Sequence, residues 1–190
     1  MHVYLVHGWE SGPDEPALKW LATSLETRDY EVSVPLMPHP EAPTIDAWVG
    51  RLARLVVPDE HAILVGHSVG CQAILRYLAS LPPDRKVKGT ILIAPWMTLD
   101  EKTMKKEGRE ARAIAKPWIE TPLDFPAARA AGGKITAIFS DNDPYVPLEN
   151  KDIFEKELGA HLVLEKHKGH FSGKDGVELL PSALNAVLAL

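Results

Sequence analysis

The stretch of residues 63–75, ILVGHSVGCQAIL, constrains the fold of this chain more than any other. An apolar run too short for a helix ends at Gly66, the pattern Gly-x-Ser-x-Gly continues to Gly70, and apolar residues at helical spacing follow at once. Glycines two residues on either side of Ser68 let a strand and a helix approach closely and leave the serine hydroxyl accessible. The stretch predicts a strand, a tight turn with Ser68 at its apex, and a helix. The alternative is a turn serine that only caps the helix.

Short apolar runs alternate with segments of helical periodicity along the whole chain. The predicted strands cover residues 3–6, 31–34, 62–65, 90–93, 134–139 and 161–165. The predicted helices cover residues 17–27, 44–57, 69–81, 100–115, 148–158 and 176–190. Consecutive parallel strands need a crossover, which a helix normally supplies. We therefore expect an α/β fold, a three-layer sandwich with a mostly parallel sheet of about six strands, forming one domain over residues 1–190.

Two segments depart from this alternation. Residues 35–43 are rich in proline, which disfavours both a helix and a central strand, so they are predicted to form a loop. Residues 97–133 are the least regular part of the chain and contain Pro117, Pro122 and Pro126. Whether they form a partial lid is left open by the sequence.

Composition excludes several classes of function. The hydrophobic content of 45% suffices for a sizeable core, and the net charge of -5 without a basic block argues against a nucleic-acid partner. No stretch approaches the ~20 apolar residues of a membrane span, and residues 1–8 lack the features of a signal peptide. We therefore expect no membrane partner. With Cys71 as its single cysteine, the chain cannot form an internal disulfide, so we expect a cytoplasmic protein. A protein partner stays unknown.

Three chemically active side chains follow three different predicted strands. Ser68 follows the third strand, Asp143 the fifth and His170 the sixth. In an open parallel sheet the carboxyl ends of the strands meet at one edge, where ligands bind. The chain order Ser, Asp, His is also one in which a serine triad is known to occur. The sequence therefore predicts a catalytic triad of Ser68, Asp143 and His170.

Each member of this predicted triad has a chemical reason. A serine hydroxyl is a weak nucleophile near neutral pH and needs an adjacent base, which His170 supplies. A carboxylate on the other ring nitrogen, here Asp143, fixes the tautomer and stabilises the imidazolium. Backbone amides directed at the oxyanion of the tetrahedral intermediate lower the barrier, and we expect these from Val69 and Trp9.

Alternatives exist for two members of the triad. Asp143 precedes a proline and fits an Asx-type turn, and Asp141 is a rival for the acid. His167 is the nearest competitor of His170, but the Gly169-His170-Phe171 sequence favours an exposed, tight loop for His170.

Other residues near the predicted site have less specific roles. Trp96 and His7 end strands at the same edge and are candidates for a substrate pocket, although His7 also fits a structural role in binding loop backbone. Cys71 is expected to be buried and unreactive. The chain lacks the clustered Cys and His pairs of a zinc site, so we expect neither a metal nor a cofactor.

The sequence resembles the α/β-hydrolase superfamily, and in particular the small single-domain serine hydrolases of the YdeN and retinoblastoma-binding type. The resemblance lies in residues 4–9, 35–40, 45–48, 66–71, 140–147 and 169–171. Lys168-Gly169 before His170 is a small departure from the family pattern. The resemblance implies a compact hydrolase core without a large cap, with Ser68, Asp143 and His170 at the triad positions.

These observations together predict a serine hydrolase that cleaves a small ester through an acyl-enzyme on Ser68. An amidase or peptidase would use the same residues, and a protein that keeps the fold but acts only by binding a partner is a further alternative. The expected ligand is a small ester or amide.

Overall fold

The computed structural model describes all residues, 1–190, and contains a single six-stranded sheet. The strands are β1 (His2–Val6), β2 (Glu31–Ser33), β3 (Ala62–His67), β4 (Gly89–Ile93), β5 (Lys134–Ser140) and β6 (His161–Glu165). Their spatial order is β2-β1-β3-β4-β5-β6, and every neighbouring pair is parallel. The predicted α/β class and the parallel sheet are confirmed.

Eight α-helices cover the two faces of this sheet. They are α1 (Pro16–Glu26), α2 (Ile45–Leu55), α3 (Val69–Ala79), α4 (Glu101–Glu107), α5 (Arg109–Glu120), α6 (Phe125–Ala131), α7 (Asn150–Leu158) and α8 (Pro181–Leu188). Helices α1 and α8 pack on one face, while α2, α3, α6 and α7 pack on the other. No helix has both the length and the apolar character needed to cross a membrane.

Side-chain alternation along the strands divides the core into two clusters. Val3 and Leu5 of β1 join the cluster formed with α1 and α8, whereas Tyr4 and Val6 join the larger cluster beneath α2 and α3. Because both faces are covered, β1, β3 and β4 are apolar along almost their whole length, as expected of central parallel strands.

The structure corrects the prediction in two segments. The single helix predicted at residues 100–115 is divided at Gly108 (φ 101°) into α4 and α5, and α6 follows within the segment considered irregular. Helix α5 continues through Pro117 because Trp118 is buried in the core and its indole N–H donates to the carbonyl of Pro43. The last helix begins at Pro181 rather than near residue 176, since Gly176 (φ 73°) ends a short 3₁₀ turn and proline favours a first helical turn.

The start of helix α3 lies in direct contact with strand β1. A Cβ atom on Gly70 would lie 2.6 Å from the carbonyl oxygen of Val6 and 2.7 Å from that of His7. A Cβ on Gly66 would likewise lie 2.8 Å from the amide nitrogen of Cys71. Only glycine fits these positions without a backbone shift, so the two glycines set the close approach that the motif predicts.

We predict that Gly70→Ala lowers the free energy of unfolding by roughly 1–3 kcal/mol, because the new methyl group overlaps two backbone oxygens. Gly50→Ala is the matched control, since a Cβ there would meet only the end of the Arg54 side chain at 3.8 Å. This control lies inside α2 and should gain about 0.5–1 kcal/mol. Urea unfolding of both variants measures the difference, and equal stabilities would contradict the packing argument.

Candidate active site

Ser68 occupies the turn between β3 and α3 in a strained backbone conformation. Its φ of 53° and ψ of -120° are rare for a residue with a side chain. The backbone N–H donates to the carbonyl of Ile93 at 2.9 Å, which anchors the turn to β4. The hydroxyl makes no capping hydrogen bond to α3. The interpretation of Ser68 as a simple helix cap therefore does not hold.

The side chains of Ser68, His170 and Asp143 form a continuous hydrogen-bonded chain. Ser68 Oγ lies 2.8 Å from His170 Nε2, and His170 Nδ1 lies 2.8 Å from Asp143 Oδ2. A carboxylate only accepts, so Nδ1 carries the ring proton and Nε2 accepts from the serine hydroxyl. The Asp143 side chain is 2% exposed and that of His170 15% exposed. The structure thus brings all three predicted side chains together.

The carboxylate of Asp143 combines the two roles that the sequence left as alternatives. Its Oδ1 atom accepts from the backbone N–H groups of Tyr145 and Val146 at 2.8 and 3.0 Å, while Oδ2 faces His170. The two hydrogen bonds of this turn thereby orient Oδ2 towards His170. The rival Asp141 accepts instead from the backbone N–H of His167, a residue whose side chain is largely exposed. Neither Asp141 nor His167 forms a hydrogen bond with Ser68 or His170.

The loop that carries His170 is fixed by side chains that the sequence analysis did not single out. Asp175 Oδ2 accepts from the N–H groups of His170 and Ser172, and Asn142 Oδ1 accepts from the N–H of Gly169. Glu15 accepts from the N–H of Gly173, which connects this loop to the segment before α1. Asn142 lies in the stretch 140–147 that carries the family resemblance, and Ser172 and Asp175 form a capping box. Neither pattern indicates that these side chains hold the histidine loop, so only the tertiary structure identifies that role.

His67 connects the serine turn to the histidine loop. Its Nε2–H donates to the backbone carbonyl of His170 at 2.7 Å, and the two imidazole rings lie 5.1 Å apart. The other ring nitrogen, Nδ1, is buried without a partner. Burial and the nearby His170 ring lower the pKa of His67 to about 4. His67 is therefore neutral at pH 7 and holds the main chain of His170.

His7 does not line a substrate pocket, which corrects one prediction. The residue is fully buried, its Nδ1–H donates to the carbonyl of Gly8, and its Nε2 accepts from the N–H of Met37. Burial lowers the pKa of His7, so the ring is neutral and both nitrogens are paired. Its structural role, the alternative given by the sequence, is the one observed: His7 joins β1 to the proline-rich loop.

The same proline-rich loop holds the segment after β1 in place. The N–H of Glu10 donates to Pro40, the indole of Trp9 donates to the carbonyl of Glu41, and the indole of Trp48 donates to Pro38. A Cβ on Gly8 would lie 3.4 Å from the Cβ of Ser68, so the backbone of residues 8–9 borders the serine. The loop therefore fixes the segment that follows Gly8, on the side of Ser68 where Gly8 lies.

The two predicted oxyanion donors have no competing acceptors. The N–H of Trp9 donates to no protein group, and Val69 is the first residue of α3, where backbone N–H groups have no intrahelical partner. Val69 directly follows Ser68, and Trp9 directly follows Gly8, at which an added Cβ would lie 3.4 Å from the Cβ of Ser68. Their participation in catalysis is a prediction.

Trp96 lies beside Ser68. Its indole Nε1–H lies 3.4 Å from Ser68 Oγ, a long hydrogen bond, and the residue is 2% exposed. Trp96 thus touches the nucleophile itself, and its role in a substrate pocket stays a prediction.

Cys71, directly after the turn, is buried as predicted, and its thiol donates to the carbonyls of Gly66 and Ile93. Burial raises the pKa of this thiol far above its usual range. At neutral pH Cys71 is therefore protonated and packs as a small apolar side chain.

Two surface cavities lie away from this centre. One of about 410 Å³ lies between α2, α3 and the start of α6, and one of about 620 Å³ lies between the proline-rich loop and α5. Neither is lined by Ser68, Asp143 or His170. No group of three or more His, Cys, Asp or Glu side chains is arranged to hold a metal ion.

The parallel sheet, the serine turn and the three converging loops define the α/β-hydrolase fold. Residues 3–189 match the family model for serine hydrolases, so the chain belongs to the serine hydrolase family. The resemblance noted in the sequence is confirmed.

Individual relatives agree with this assignment. YdeN of Bacillus subtilis (strain 168), a candidate hydrolase, is 28% identical over 180 residues, covering 94% of this chain and 90% of YdeN. The serine hydrolase RBBP9 of Rattus norvegicus is 24% identical over 176 residues, covering 92% of this chain and 83% of RBBP9.

Solved structures share the fold. The crystal structure of the B. subtilis ydeN gene product superimposes with a TM-score of 0.87 at 24% identity, covering 99% of this chain and 97% of that one. A carboxylesterase structure from Nitrososphaera gargenis gives a TM-score of 0.69 at 16% identity, covering 99% and 89% of the two chains. The protein is a serine hydrolase with esterase-like structural neighbours.

We predict that His67 makes the protein less stable in mild acid. Its pKa is about 4 in the folded state and near 6.5 when unfolded, so the unfolded state binds more protons below pH 6.5. The stabilisation is complete above pH 6.5 and is lost as the pH falls towards 4. Between pH 7 and pH 5 the wild type should lose about 2 kcal/mol more stability than His67→Asn, as measured by urea unfolding. Parallel pH profiles for the two proteins would contradict this assignment.

Proposed function

We propose that the protein hydrolyses small esters through an acyl-enzyme formed on Ser68, with His170 as the general base and Asp143 as the acid that orients it. The observation that supports this most directly is the hydrogen-bonded chain from Ser68 Oγ through His170 to Asp143, with both distances at 2.8 Å.

We also propose that residues 1–190 act as a single domain, since all six strands share one sheet.

In the proposed acylation step, Ser68 Oγ attacks the ester carbonyl carbon while His170 Nε2 takes the hydroxyl proton. The resulting imidazolium is stabilised by the buried carboxylate of Asp143. The oxyanion of the tetrahedral intermediate accepts hydrogen bonds from the N–H groups of Trp9 and Val69, which are free of protein acceptors. Collapse of the intermediate breaks the bond to the alcohol, which takes the proton from His170.

Deacylation uses the same residues, with water in place of the alcohol. A water molecule takes the place of the alcohol, gives a proton to His170 Nε2 and attacks the acyl carbon. Collapse of the second intermediate breaks the bond between this carbon and Ser68 Oγ, which takes the proton back from His170, and the carboxylic acid is released. The Asp143 carboxylate stays in place through both steps, because its Oδ1 atom accepts two backbone N–H bonds from Tyr145 and Val146.

We expect a fluorophosphonate probe to label the wild-type protein on Ser68 and to leave Ser68→Ala unlabelled, because the probe reacts with an activated serine hydroxyl. Mass spectrometry of the modified peptide identifies the residue. Ser80→Ala at the other end of α3 is the matched control, since its hydroxyl only donates to the carbonyl of Tyr77. A folded wild-type protein that fails to label at neutral pH would sink the proposal and favour a protein that acts by binding alone.

A second experiment tests the role of Asp143 as the acidic residue of the triad. Asp143→Asn should lower kcat for p-nitrophenyl acetate by about 10³–10⁴-fold, because the amide favours the wrong tautomer of His170. Asp141→Asn should stay within a few-fold of the wild type, since the Asp141 carboxylate faces His167 and forms no hydrogen bond with His170. A larger loss for Asp141→Asn than for Asp143→Asn would reverse the assignment. An amide substrate series run beside the ester distinguishes amidase from esterase activity.

A further inference from the structure

We propose that Trp96 closes the acyl side of Ser68 and restricts the enzyme to esters of short-chain acids, such as acetyl and propionyl esters, while leaving the alcohol side open. This inference rests on the proposed acyl-enzyme mechanism and adds its substrate class. It follows from the hydrogen bonding of the indole, the geometry of the tetrahedral centre and the rigidity of the segment after β4.

The indole N–H of Trp96 differs from the other buried indole groups of the chain. Trp48 and Trp118 donate to the backbone carbonyls of Pro38 and Pro43 at 2.8 and 3.0 Å. Trp96 has no carbonyl partner, and its N–H points at Ser68 Oγ at 3.4 Å. A buried indole N–H normally has a good acceptor, so this ring is held against the nucleophile by packing rather than by a strong hydrogen bond.

The position of Trp96 limits the acyl group directly. An acyl carbon bonded to Ser68 Oγ is one covalent bond away from an oxygen that lies 3.4 Å from the indole nitrogen, so the indole is one of the groups that border it. Of the substituents on this carbon, the oxyanion faces the N–H groups of Trp9 and Val69, and the leaving oxygen faces His170. The remaining substituent, the acyl chain, is directed away from both, and we assign it to the side of Ser68 that Trp96 borders.

The indole cannot move aside easily. The carbonyl of Trp96 accepts from Gln72 Nε2 at 2.7 Å, and Asn150 Oδ1 accepts from the N–H groups of Met97 and Thr98 at 2.7 and 3.0 Å. Both Gln72 and Asn150 are fully buried. Because these buried polar side chains fix the backbone from the carbonyl of Trp96 to Thr98, moving this segment away from Ser68 would require breaking buried hydrogen bonds.

The leaving-group side is less enclosed. The half-buried ring of Tyr145 packs edge-on against His170 at 5.1 Å, and its hydroxyl donates to the exposed carboxylate of Glu107 at the end of α4. This side borders the surface, so the alcohol portion of an ester can extend from His170 into solvent. The structure therefore favours selection by acyl length over selection by alcohol.

The test is a series of p-nitrophenyl esters with acetyl, butyryl and hexanoyl groups, which share one leaving group. For the wild type we expect kcat/KM to fall at least about tenfold from acetate to hexanoate, because each methylene that cannot be accommodated is costly. Trp96→Ala should raise the ratio of hexanoate to acetate activity by about tenfold or more. Trp96→Phe, which is smaller and lacks the N–H, should give an intermediate ratio and serves if the alanine variant does not fold.

The control variant is Trp20→Ala. Trp20 is a half-buried tryptophan on α1, in the cluster on the opposite face of the sheet, so its loss removes apolar contacts without altering the site. We expect an unchanged chain-length profile in this variant, with thermal unfolding monitored for all variants.

The outcomes separate this inference from the proposed function. Absence of fluorophosphonate labelling on Ser68 contradicts the mechanism itself. Labelling with a wild-type profile that is flat or rises with acyl length overturns the role of Trp96 but leaves the mechanism standing. A steep wild-type profile that both Trp96 variants reproduce also overturns it, because another residue must then limit the acyl group.

Discussion

The close contact between the start of α3 and the end of β1 is the constraint on which the rest of the structure depends. Gly70 lies so near the carbonyls of Val6 and His7 that no Cβ fits, and Gly66 meets the backbone of α3 in the same way. This approach forces the turn at Ser68 into a positive φ and aims its hydroxyl away from the helix. The strain is maintained because the flanking strand is paired on both sides within the core.

Hydrogen bonds connect the loops around Ser68 to one another, so the positions of the three triad side chains depend on several residues together. Asp143 is oriented by its own turn, Asp175 and Asn142 bind the backbone of the histidine loop, and His67 joins that loop to the serine turn. Burial keeps His67 and His7 neutral, so they serve as hydrogen-bonding groups at neutral pH. Only His170, of these three, has ring nitrogens that contact both a carboxylate and a hydroxyl.

The sequence located most of the elements because their local signals agreed with the tertiary structure. The six strands were found within two residues at each end, since apolar runs bounded by Gly, Pro or charged residues have few other solutions. The failures came where tertiary contacts outweighed local preference. Helix α5 continues through Pro117 because Trp118 is buried, and the pocket role given to His7 failed because both its nitrogens bind loop backbone.

The sequence by itself determined the class of the fold, the strand-turn-helix at Ser68 and the three residue types of the candidate site. It did so because periodicity and glycine spacing are local properties of the chain. Only the tertiary structure decided that Asp143 rather than Asp141 reaches His170, that Asp175, Asn142 and His67 support the histidine loop, and that Trp96 touches Ser68. These relations join residues from different strands and loops, and no spacing along the chain encodes a distance across the sheet edge.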